Sequence, residues 1–151
     1  MDTVDKATRS RIMRAIKSKN TKPELALLAM LRRRVTGWSR RGKGLPGTPD
    51  FVFKDVKLAV FVHGCFWHLC RRHYKAPKAG AAWLEHMDRN RRRDIRVRRR
   101  LRRLGWATMV VWEHEDMDKA ATRVAVRRQH LRHLALCHVG EPQTGLQMGR
   151  Y

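Results

Sequence analysis

Asp50 follows Pro49 at the head of one apolar run, and the next apolar run ends at His63. His63 in turn opens the segment His63-Gly64-Cys65-Phe66-Trp67-His68-Leu69-Cys70-Arg71-Arg72-His73. A carboxylate that starts one strand and a polar residue that ends its hairpin partner stand at the same end of a sheet. There they can hold a divalent cation, and hard cations such as Mg2+ favour oxygen ligands. Cys65, Cys70 and His73 are spaced to wrap one Zn2+ if a fourth ligand comes from elsewhere. His114, just past a third apolar run that ends at Trp112, is the best fourth ligand, with Glu113 and Glu115 as weaker rivals. Such a closed site is structural and fixes a loop. The alternative is that Cys65 and Cys70 are buried thiols and the histidines surface residues, since free cysteine packs as a small hydrophobe. Cys137 has no such company and reads as core.

These groups need elements to position them. Thr21 as N-cap, Pro23 in the first turn, Glu24 near the positive end of the helix dipole and Leu25, Leu28 and Leu31 at helical spacing predict a helix over 22–34. Gly42, Gly44, Pro46, Gly47 and Pro49 then break regular structure, so a loop feeds Asp50 into a strand. Phe51 to Phe53 and Leu58 to Val62 read as a hairpin. From Trp83 to Leu104 the pattern is helical, with Leu84, Met87, Ile95, Leu101 and Leu104 on one broad side and arginines on the other, and Gly105 stops it. A third strand over 106–112 and a helix over 119–137, carrying Val124, Leu131, Leu134 and Leu136, complete the order α, α, β, β, α, β, α. The first of these helices, over 3–18, is short and basic, with few apolar residues. We expect one domain over 1–139, in which 1–20 form a basic arm that contacts DNA, and a loose tail over 140–151.

Charge names the partner. Lys and Arg number 35 against 13 Asp and Glu, a net charge of +22 that would repel itself without a polyanion or salt. Nucleic acid is the favoured partner, although a ribosomal-type structural protein or a membrane-surface binder would share the charge. Arginine supplies 25 of the 35 cations, which suits bidentate phosphate contacts but also follows from a G- and C-rich genome. No stretch approaches the roughly 20 apolar residues of a membrane span, and MDTVDKATRSR lacks the apolar core of a secretion signal. A cytoplasmic, nucleoid-associated protein is expected, and a monomer, since no heptad pattern is present.

Pro49-Asp50 followed by Phe61-Val62-His63 is similar in part to the PD-(D/E)xK nuclease pattern, with His63 near the place of the second acid and lysine. A more specific resemblance spans residues 5 to 115. Asp5-Lys6-Ala7-Thr8-Arg9-Ser10, Met13-Arg14-Ala15-Ile16, Leu45-Pro46-Gly47-Thr48-Pro49-Asp50-Phe51-Val52, His63-Gly64-Cys65-Phe66-Trp67-His68, Trp83-Leu84-Glu85, Gly105-Trp106 and Val111-Trp112-Glu113 occur in order. Together they resemble the Vsr family, the very-short-patch repair endonucleases.

That resemblance implies an α/β, restriction-endonuclease-like fold with a mixed central sheet flanked by helices and a structural zinc site. It implies Mg2+-dependent nicking of double-stranded DNA on the 5′ side of the thymine in a T:G mismatch, alongside other mismatch-repair proteins. Asp50 matches the metal-binding aspartate, and the main-chain carbonyl of Val62 the second metal contact. His68 matches the general base, imidazole being the side chain that exchanges protons near neutral pH. Glu24 matches the acid that supports His68, though a helix-start carboxylate would look the same. His63 matches a histidine that contacts the scissile phosphate, with Asp94 orienting it or else pairing with the arginines around it. Phe66, Trp67 and Trp83 match aromatics that wedge beside the mismatch, with core packing as the alternative; insertion costs least at a mispair. At the zinc the chain departs from the family pattern, so that Cys65, Cys70, His73 and His114 make a set of two cysteines and two histidines. Two other readings stand beside the repair enzyme. One is a zinc-stabilised DNA-binding protein without catalysis, and the other a nicking nuclease of a mobile element or restriction system.

Overall fold

A computed structural model describes Thr8, Arg11, residues 19–75 and residues 81–139. Its elements in chain order are α1 (Lys22–Arg34), β1 (Ser39–Arg40), β2 (Phe51–Phe53), a 3-10 turn (Lys54–Val56), β3 (Leu58–His63), α2 (Ala81–Arg103), β4 (Ala107–Trp112) and α3 (Met117–Val139). The strands form one sheet in the order β1-β2-β3-β4. β1 with β2 and β2 with β3 run antiparallel, while β3 and β4 run parallel through the α2 crossover, with His63 opposite Trp112. This is the expected mixed sheet flanked by helices.

Side-chain alternation divides the interior in two. Leu58 and Val60 of β3, with Phe51, Phe53 and Val111, pack under Leu27, Leu28 and Leu31 of α1 and Ala120, Ala121 and Val124 of α3. Ala59 and Phe61 point the other way, against Leu101 and Val97 of α2. A strand covered on both faces reads as a continuous apolar run, which is why Leu58 to Phe61 show no polar alternation. His63 continues the Ala59–Phe61 side and so faces α2.

The helix ends follow local chemistry. Glu24, Leu27, Leu28 and Leu31 fall on one stripe of α1 and are its buried residues. At the other end of the sheet α2 stops in a Schellman turn: Trp106 N–H donates to Leu101 O at 2.9 Å and Gly105 N–H to Arg102 O at 3.0 Å, with Gly105 at φ +77°. Asp116 caps α3, its Oδ1 accepting from Asp118 N at 2.8 Å and Lys119 N at 3.0 Å. The cap starts that helix two residues before the expected 119, and α3 runs two residues past the expected 137.

Several expectations are corrected. Leu84 of α2 and Leu104, just past its end, are about half exposed, and Leu134 and Leu136 of α3 are exposed. Cys137 is exposed rather than core. The two-residue strand β1 was not anticipated. The basic helix over 3–18, apart from Thr8 and Arg11, and the tail over 140–151 lie outside the described residues. Among the described residues no helix is long and apolar enough to cross a membrane.

Candidate active site and metal centre

The loop before Asp50 closes as a narrow pin. Arg41 N–H donates to Asp50 O at 2.9 Å and Gly42 N–H to Pro49 O at 2.8 Å. Gly47 sits at φ +74°, where its missing Cβ leaves room for Val97 of α2. The pin delivers Asp50 to the head of β2, where Oδ2 accepts from Val62 N–H at 2.7 Å. Asp50 and Val62, expected to share a cation, are therefore already joined through the Val62 amide. Burial pushes the Asp50 carboxyl up to about 6; the Val62 bond opposes this and the nearby Glu24 charge adds to it. Two carboxylates with one desolvated form a site that a cation would complete. This donor set fits Mg2+, with Asp50 and the Val62 carbonyl as holders.

Glu24 is placed by its own helix. Its carboxylate accepts from Asn20 N at 3.0 Å and from Thr21 Oγ1 at 2.8 Å, and Arg40 Nη2 lies 3.8 Å away. Among the described residues no hydrogen bond joins Glu24 to His68; its charge acts on Asp50 instead. Arg40, which the sequence reading missed, also bears on Asp50 from β1 and leaves its Nε buried without a partner among the described residues.

His63 and His68 stack, with ring centroids 3.8 Å apart and planes 12° from parallel. His68 Nδ1 donates to Asp94 Oδ2 at 2.6 Å. Asp94 was expected beside His63, but α2 brings it to His68, one ring further on. Against the effect of its burial, that hydrogen bond holds the Asp94 carboxyl below the usual range. His63 is buried, and burial followed by the His68 charge pushes its imidazole down to about 3, so it is neutral near pH 7. His63, His68 and Asp94 place their polar atoms within 4.8 Å of one another. Parallel stacked rings cannot both aim a lone pair at one ion, however, because a ligand lies in its ring plane. The trio therefore reads as a proton-handling group. It opens on a cleft of about 390 Å³, also lined by Arg71, Arg91, Ile95, Arg98 and Trp112.

The second cluster lies behind the loop. Cys65 Sγ is 3.0 Å from His114 Nδ1 and 4.0 Å from His73 Nδ1; Cys70 Sγ is 3.7 and 3.8 Å from the same atoms. Zinc bonds of about 2.3 Å to sulfur and 2.1 Å to nitrogen, set at tetrahedral angles, give S···N edges of about 3.6 Å. The four edges scatter around that length, so the donor set fits Zn2+. Burial pushes the Cys65 thiol up to about 11, while Cys70, despite its own desolvation, is held below the usual thiol range by the amides of Arg72 and His73. A bound cation would remove both protons. The rival ligands are engaged elsewhere. Glu113 Oε1 accepts from Cys65 N at 2.6 Å, and Glu115 accepts from Trp112 N at 2.8 Å and pairs with Arg123 at 2.7 Å.

Phe66, Trp67 and Trp83 form one aromatic group, with centroids 5.1, 5.7 and 6.0 Å apart, and Tyr74 joins it 6.1 Å from Phe66. Phe66 is exposed and the two tryptophans half-buried, so the group is a surface lip rather than core. Tyr74 was not singled out from the sequence.

Comparison with known proteins places this geometry. The family profile described as DNA mismatch endonuclease Vsr matches residues 1–74. The type II nicking enzyme V.NaeI of Lentzea aerocolonigenes is 40% identical over 133 residues, covering 84% of this chain and 80% of that protein. The DNA mismatch endonuclease Vsr of Escherichia coli (strain K12) is 40% identical over 114 residues, covering 74% and 73%. The type II nicking enzyme V.XorIIP of Xanthomonas oryzae pv. oryzae is 37% identical over 128 residues, covering 83% and 94%. With identity at this level over most of both chains, and with Asp50, His63 and His68 gathered at one sheet end, the protein belongs to the Vsr family.

Proposed function

We propose that the protein is a strand-specific DNA mismatch endonuclease. It nicks duplex DNA 5′ to the thymine of a T:G mismatch by Mg2+-dependent hydrolysis of one phosphodiester bond. The observation that carries this reading is the convergence of a half-buried carboxylate, Asp50, with an imidazole that a second carboxylate orients, His68 with Asp94.

Asp50 and the Val62 carbonyl would hold Mg2+, which when bound supplies charge neutralisation at the phosphate. With Nδ1–H committed to Asp94, His68 presents Nε2 as acceptor for a water proton. The water oxygen bonds to phosphorus as its proton passes to His68, one P–O ester bond breaks, and the departing oxygen takes a proton from solvent, to which His68 returns its own. Neutral His63 serves as a hydrogen-bond donor to the phosphate rather than as a charge. Glu24 acts on Asp50 and so supports cation binding rather than the base. Phe66, Trp67 and Trp83 supply the wedge that favours a mispaired duplex. Zn2+ on Cys65, Cys70, His73 and His114 would fix the loop that carries them. Residues 1–139 act as one endonuclease unit, with the basic segment 1–20 on the DNA.

A second reading differs only in the target. Relatives named type II nicking enzymes favour a nuclease attached to a restriction system. Cleavage of T:G, matched and other mismatched duplexes with Mg2+ separates the two, since the repair reading requires T:G to be cut far faster. Failure of the wild type to nick any duplex, or an Asp50→Ala variant as active as wild type, would overturn both readings.

A further inference from the structure

The cleft beside the stacked histidines is walled by α2, and helical spacing decides which residues face it. Arg91, Asp94, Ile95 and Arg98 stand at i, i+3, i+4 and i+7, and all four line the cleft. Arg91 and Arg98 lie one turn either side of Asp94, about 10.5 Å apart along the axis. Arg71, from the loop after β3, completes the rim.

These arginines converge on one cleft and have no counter-charge there, whereas three others of the helix are paired. On the same helix Arg89 pairs with Glu85 at 2.9 Å, Arg92 with Asp88 at 2.7 Å, and Arg93 reaches Asp94 at 3.7 Å. Among the described residues no carboxylate lies within ion-pair distance of Arg71, Arg91 or Arg98. Asp94, the acid between them, is bonded to His68. A second groove of about 330 Å³, between α1 and α3, offers a contrast. Of its arginines, Arg34 pairs with Asp118 at 2.5 Å and Arg128 with Asp55 at 2.8 Å. The cleft beside the histidines thus gathers three guanidinium groups with no acid among the described residues to answer them, and Arg98 is half-buried there. A guanidinium fork matches phosphate oxygens in pairs. His63 and His68 line the same cleft, so a strand whose scissile phosphate meets the histidines runs on along the α2 wall that carries Arg91 and Arg98.

We propose that Arg91 and Arg98 form a clamp that seats a backbone phosphate neighbouring the scissile one, on the strand that is cut. The proposal rests on the nuclease reading of the same site. A seat used equally before and during the reaction strengthens binding without changing the chemical step.

The test compares R91Q/R98Q with R99Q/R102Q, which removes the same charge from exposed positions of α2 outside the cleft. Binding to a labelled T:G duplex is followed by fluorescence anisotropy across a salt series, with Mg2+ omitted. The clamp variant should lose about 0.9 from the log–log salt slope, the share of one phosphate. Its affinity should fall about 10- to 100-fold, as charge-assisted hydrogen bonds are lost. The control should keep the wild-type slope, and R91K/R98K should keep the slope while recovering only part of the affinity. In nicking assays KM should rise with kcat unchanged. Equal slope losses in clamp and control variants would overturn the proposal, as would a fall in kcat at constant KM. If the wild type nicks no duplex, the nuclease reading fails, while the slope comparison still judges the clamp.

Discussion

His68 Nδ1 stands 2.6 Å from Asp94 Oδ2, so the imidazole of a loop is aimed by a carboxylate on a helix 26 residues further along the chain. The bond fixes the tautomer and leaves Nε2 as the free acceptor. An Asp94→Asn variant removes the charge that favours this arrangement. Its kcat should fall about 10²- to 10⁴-fold, the range for loss of a general base, with little change in DNA affinity. Glu24→Gln should instead raise the Mg2+ requirement, because Glu24 acts on Asp50. Single-turnover nicking across a Mg2+ series distinguishes the two.

Asp50 predicts a pH dependence. Its carboxyl titrates at about 6 without a cation, and only the ionised form binds one. Below pH 6 the apparent Mg2+ affinity should fall about tenfold per pH unit, and higher Mg2+ should move the inflection to lower pH. The sign for stability is opposite. A folded value of about 6 lies above the ordinary aspartate value of 3.8, so this group's stabilisation is full below 3.8 and is lost as pH rises through 6. Metal-free Asp50→Asn should therefore be more stable than wild type at pH 7.5, by about 1–3 kcal/mol in chemical denaturation.

The cysteine–histidine cluster predicts one zinc per chain. Cys65→Ser, Cys70→Ser or His114→Ala should lower zinc content by elemental analysis and lower the Tm. Glu115→Gln should retain the metal, since its carboxylate is engaged with Trp112 N and Arg123.

Gly47 predicts a steric effect far from charge. At φ +74° an added Cβ runs into the Val97 side chain. Gly47→Ala should cost about 1–3 kcal/mol, from the backbone conformation and the overlap together. Adding Val97→Ala should relieve the overlap but not the backbone share, which a double-mutant cycle by denaturation would read.

Local signals were legible where local chemistry decides. Thr21, Pro23 and Glu24 announce α1 to the residue, and the Phe51–Val62 hairpin follows from two apolar runs around a polar turn. His114 could be matched to the cysteines because parallel pairing of β3 and β4 carries Glu113 and His114 past the His63 end. What sequence missed are choices made by helix rotation and reach. Asp94 belongs to His68 because of how α2 lies on the sheet, which no periodicity reveals. Leu134, Leu136 and Cys137 follow a helical pattern but are exposed. Arg91 and Arg98 carried a readable signal, their spacing around Asp94, which the wider field of arginines obscured.

Glu113 closes the strand-to-loop corner from both sides. Its amide donates to His63 O at 2.9 Å and its carboxylate accepts from Cys65 N at 2.6 Å. A growing chain thus has Asp50, His63 and His68 in hand well before Asp94 and Glu113 exist to orient them. Catalytic competence belongs to the finished β3–β4 pairing. A chain that stops short of Asp94 and Glu113 is already strongly basic yet lacks the groups that orient His68 and hold the Cys65 corner.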